Sequence, residues 1–157
     1  MHSPELVQAA EDAVSGPLLE KLTNTRRVYD VQQGAGVILP GTSATINISS
    51  KSWFKKVSLV SMLVNTNDAF AGMNSVWLPR HGSKTVYLWA FDAGSEKNTE
   101  SVEHIPGPCC GNPLMRVPTH ERIRFHRGIK DIADLDPAVY GWKRVVAKVT
   151  IKRTCAW

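Results

Sequence analysis

The donors that could do chemistry fall into three groups along the chain. Two acidic loops each follow an apolar run. Asn65-Thr66-Asn67-Asp68 follows the run 57–64, and Asp92-Ala93-Gly94-Ser95-Glu96-Lys97-Asn98 follows the run 84–91. If those runs are strands pointing the same way, Asp68, Asp92 and Glu96 meet at one end of the fold. Hard oxygen donors in loops suit calcium, which takes about 6–8 oxygen ligands. Three carboxylates do not fill that shell, so backbone carbonyls, Asn side chains or water must complete it. The alternative is that Asp and Asn after a strand serve turns, through hydrogen bonds to nearby backbone.

The second group is imidazole. His104 and His126, with His120 close to them in sequence, offer a copper or zinc alternative, and Cys109 and Cys110 follow His104 closely. No C-x-x-C or H-E-x-x-H spacing accompanies them. The third group is the thiols Cys109, Cys110 and Cys155. The expected bridge joins Cys110 to Cys155, tying down the end of the chain and implying an oxidising compartment. A strained adjacent pair and three reduced thiols are the alternatives. Cys110 with His104 or His126 can be written as a nucleophile and base, but no spacing supports it. There is no G-x-S-x-G and no phosphate-cradling glycine loop. The expectation is a protein that is not an enzyme.

These groups need elements to position them. Ser3 can cap a helix begun at Pro4, and apolar residues follow helical spacing until Gly16-Pro17, where a break is expected, with a second turn of helix over Leu18–Leu22. Strand patterns follow at 28–31, 44–49, 57–64, 75–78, 84–91, 122–125 and 144–153. The run 57–64 is nearly continuous, as for a strand buried on both faces. In the last strand Val145, Ala147, Val149 and Ile151 are expected on one face. Turn residues punctuate the strands, and the longest stretch without clear structure is 92–121. The reading is a mainly β fold, an antiparallel sandwich, with a short N-terminal helical segment over 1–24 packed on a domain over 25–157.

At 157 residues, 43% hydrophobic and 21% charged, the chain suits one globular domain. No apolar run approaches the roughly 20 residues of a membrane helix. Met1-His2-Ser3-Pro4 carries no basic, apolar leader, which leaves the chain either cytosolic or exported with its leader removed. Lys and Arg outnumber Asp and Glu by 19 to 14, and the excess lies mostly in the second half. That permits contact with acidic glycans through the basic C-terminal strand. No nucleic-acid-binding motif accompanies the charge.

Several of these segments resemble one family. Ser61-Met62-Leu63-Val64-Asn65-Thr66-Asn67-Asp68-Ala69-Phe70-Ala71-Gly72 is similar to a hallmark segment of the spondin N-terminal-type domain. Trp89-Ala90-Phe91-Asp92-Ala93-Gly94-Ser95-Glu96 resembles its second hallmark. His104-Ile105-Pro106-Gly107-Pro108 and His126-Arg127-Gly128-Ile129 resemble patterns of bacterial, single-domain members. Together with the closing strand, the resemblance covers 25–153. It implies a C2-like sandwich that is secreted, periplasmic or on the cell surface. It also implies calcium held at the tip by Asp68, Asp92 and Glu96, and a role in binding a surface or extracellular-matrix ligand, as in cell adhesion. Glu96 stands where the animal pattern has aspartate. One extra methylene lets it reach further and bind through both oxygens.

Overall fold

A computed structural model describes residues 3–34, 36–111, 115–143 and 145–154. The chain opens with two helices, α1 (Pro4–Glu11) and α2 (Gly16–Thr23). Ser3 caps α1 by accepting from the Leu6 N–H at 3.3 Å. The break comes earlier than the sequence suggested. Ala13 takes a positive φ of 57°, and Gly16-Pro17 then starts α2 rather than ending a helix.

Among the described residues five strands follow: β1 (Lys56–Met62), β2 (Ala69–Trp77), β3 (Ser83–Asp92), β4 (Arg124–Phe125) and β5 (Val145–Lys152). All are antiparallel to their neighbours and lie in one sheet. The order is β1-β2-β3, with β4 and β5 end to end along the far edge of β3. The mainly β, antiparallel character and the short N-terminal helices are as expected.

The pattern at 28–31 and 44–49 forms no assigned strand. The carboxylate of Asp30 takes the Ser49 N–H and the Gln32 amide, so side-chain bonds hold this segment where a ladder would have. Ile46 and Ile48 are left exposed. β1 is an edge strand, half-buried on one face and open on the other, rather than buried on both. The expected strand at 75–78 proves to be the end of a longer one that begins at Ala69. In β5, Ala147 and Val149 lie opposite Leu88 and Val86, but a bulge at Leu88/Trp89 sets Val145 against Trp89 on the other face.

α1 packs on the sheet. Ala10 joins Phe70 and Ala93 in a buried cluster, with Leu6 and Phe91 against it. Phe70, Phe91 and Phe125 continue this contact across three strands, with ring centroids 5.6 Å and 5.1 Å apart.

Candidate metal centre

β1 and β3 both run antiparallel to β2, so they point the same way. Their C-terminal loops therefore emerge at one end of the sheet. Ala69 pairs with Asp92, which brings Asp68 beside the start of the second acidic loop, where the Ala93 N–H donates to the Asp68 carbonyl at 3.2 Å. A third segment closes the end. The Lys97, Thr119 and Glu121 N–H groups bond across between 94–97 and 117–121, and Glu96 forms a bridge with Pro118. Gly94 permits that approach. Its φ is +76°, and a Cβ there would lie 2.6 Å from the Glu121 carbonyl oxygen.

The three predicted carboxylates are all buried: Asp68 is 0% exposed, Asp92 2% and Glu96 3%. Their partners differ. Asp92 is fully occupied. One oxygen accepts from the Gly94 N–H at 2.8 Å, and the other accepts from Asn98 at 2.7 Å and Arg124 at 3.1 Å. The first of these is the turn-forming bond set out above as the alternative to a metal role. Asp68 is half occupied. Its Oδ2 accepts from the Ser95 N–H and hydroxyl and from the Glu96 N–H at 2.8–3.0 Å, while Oδ1 has no partner. Neither oxygen of Glu96 accepts a well-aligned hydrogen bond, although the Asn67 side chain lies against the carboxylate. Arg116 Nε lies 3.2 Å from Glu96 Oε1, an ion-pair contact without hydrogen-bond alignment. Among the described residues, no three His, Cys, Asp or Glu side chains are grouped to hold one ion between them.

Charge accumulates here beyond what the sequence reading anticipated. Burial pushes the Glu96 carboxyl up to about 7, opposed by Arg116 and reinforced by the charges of Glu11 and Asp68. Burial likewise raises Asp68, with the Asp92 charge adding to it and the N–H groups of Glu96 and Ser95 opposing. Glu11, at the end of α1, is also raised by burial; the charges of Asp12 and Asp68 add to the shift, and Ser95 and Arg116 oppose it. Glu11 and Arg116 were not anticipated. Glu11 arrives on a helix more than fifty residues from either acidic loop in sequence, and Arg116 lies in the stretch that showed no pattern.

His104 and His126 are each held by partners of their own. His126 accepts the Gly128 N–H at Nδ1 and pairs with the Asn98 side-chain oxygen through Nε2 at 2.9 Å. Those partners assign the proton to Nε2, and burial pushes the ring pKa down. A metal at His126 must break one of these bonds. His104 Nδ1 instead meets the Thr99 hydroxyl at 3.1 Å.

The cysteines also depart from expectation. Cys109 is bonded to Cys110, so Cys110 is not joined to Cys155, which lies outside the described residues. The loop bearing the pair docks on the first acidic loop, where the Asn65 side-chain oxygen accepts the Cys109 N–H at 3.2 Å. Gly107 makes room for this contact: a Cβ on it would lie 2.6 Å from that same Asn65 oxygen. No helix among the described residues is long and apolar enough to cross a membrane. No family model, curated protein or solved structure is significantly similar to the chain.

Proposed function

We propose that the chain is an exported, spondin-like binding module whose tip is fixed by a divalent cation, with calcium the best match. The observation that carries this is the set of buried carboxylate oxygens that accept no well-formed hydrogen bond, Asp68 Oδ1 and both oxygens of Glu96, the latter balanced only by the misaligned Arg116. A buried anion left unpaired is costly, and a cation offsets that cost. The donors are hard oxygens on loops, which favour calcium over softer metals. Asp68 and Glu96 supply the first ligands, with loop carbonyls, Asn67 and water as the remaining donors. Asp92 supports them by holding the Gly94 turn in place.

The bound ion would lock the loops around 65–68, 92–98 and 115–121 into a fixed surface for a cell-surface or matrix ligand. The Cys109–Cys110 bond supports an oxidising compartment, and it removes Cys110 as a free nucleophile, which favours binding over catalysis. No observation favours the copper or zinc reading, since both ring nitrogens of His126 are engaged. The test is thermal melting of the full chain with calcium and with chelator. The expected result is a higher melting temperature in calcium, lost in Glu96→Gln. Identical melting in both conditions contradicts the proposal.

A further inference from the structure

Among the described residues, Arg116 is the cation that reaches Glu96 in the acidic pocket, as Arg124 reaches Asp92. The position of Arg116 is set by the backbone ladder between 94–97 and 117–121, which brings it to Glu96. The guanidinium spans two carboxylates of different character. Nε faces Glu96, whose side chain is 2% exposed, and Nη2 pairs with Asp12, whose side chain is 43% exposed. The third nitrogen, Nη1, is buried without a partner. Misaligned toward Glu96 and unsatisfied at Nη1, Arg116 is a poor match for the pocket. Toward Asp12 it has a hydrogen-bonded ion pair nearer to solvent.

We propose that Arg116 is a built-in counter-ion of the pocket, which a divalent cation displaces from Glu96 while Arg116 keeps its hold on Asp12. The inference rests on the cation site proposed above. The single delocalised charge of Arg116 contacts Glu96 and acts on Glu11, while Asp68 adjoins them through its bonds to the Ser95 and Glu96 N–H groups. A compact divalent ion answers the same carboxylates with twice the charge and no fixed donor geometry. Asp12 then acts as the outer rest for the displaced guanidinium.

Calcium titration calorimetry of the full chain tests this. Arg116→Gln removes the competitor and is expected to bind calcium about tenfold more tightly, because a charge-assisted contact no longer has to be broken. Asp12→Asn removes the outer rest and is expected to bind about threefold more weakly, on the same reasoning. A folded Arg116→Gln with an unchanged or weaker affinity overturns the inference while leaving the cation site standing. If Arg116→Gln does not fold, Asp12→Asn decides, and unchanged or tighter binding there overturns it. No calcium binding by either the parent chain or Arg116→Gln overturns the cation site and this inference together.

Discussion

Glu96 is the residue on which the chemistry turns. Its carboxyl titrates at about 7, against 4.5 in an unfolded chain, so its ionisation opposes folding. In chelator that cost is absent below about pH 4.5, grows as the pH rises through the folded value, and is on the order of 3 kcal/mol above it. Asp68 and Glu11 are raised too and act in the same direction. His126 is lowered, so the stability it contributes is lost as the pH falls below its ordinary 6.5. The prediction is that the raised carboxyls outweigh the opposing His126, so that melting of the chelated chain falls between about pH 5 and pH 7, and that Glu96→Gln flattens this fall. A pH-independent melting temperature that Glu96→Gln leaves unmoved counts against it. The identities of Asp68, Asp92 and Glu96 were legible in the sequence as oxygen donors after apolar runs. What was not legible is which of their oxygens are already spoken for. The Gly94 and Asn98 bonds to Asp92 depend on a turn and a side-chain rotamer, neither of which leaves a trace in spacing.

At the scale of elements, the end of the sheet is assembled by close backbone approach. Gly94 and Gly82 both have positive φ, +76° and +62°, but only Gly94 is crowded, whereas a Cβ at Gly82 meets open space. Gly82→Ala therefore costs only backbone strain, about 1 kcal/mol. Gly94→Ala adds a collision with the Glu121 carbonyl and is expected to cost roughly 3 kcal/mol or more. Equal losses in melting temperature for the two variants would show that the 117–121 segment does not pack on Gly94 as described. β3 and β5 were readable because aromatic and alternating patterns survive in long strands. β2 was half missed, because Ala69–Gly72 offers one large apolar residue, Phe70, among small ones, too little to show a period. The segments 28–31 and 44–49 were misread because alternation shows which face would be buried without showing whether a partner strand is there. The Asp30 side chain supplies a competing partner for the Ser49 N–H from the other segment.

At the scale of the molecule, the parallel sense of β1 and β3 matters most. It follows from two antiparallel pairings about β2 and carries both acidic loops to the same end. α1 lies on the sheet through Leu6 and Ala10, and it brings Glu11 and Asp12 to that end as well. The N-terminal helical segment, which sequence reading treated as an appendage, therefore contributes charge to the site. Such long-range convergence has no signature in a single chain: nothing in the spacing links Glu11 to the loop that carries Glu96 until the fold joins them. Counting bound calcium by equilibrium dialysis of the parent chain, Asp68→Asn with Glu96→Gln, and Asp92→Asn tests the central claim most directly. The account predicts one ion per parent chain, none in the Asp68/Glu96 double variant, and a retained ion in Asp92→Asn where that variant stays folded. Calcium bound equally by the parent chain and the double variant, or by neither, would contradict it.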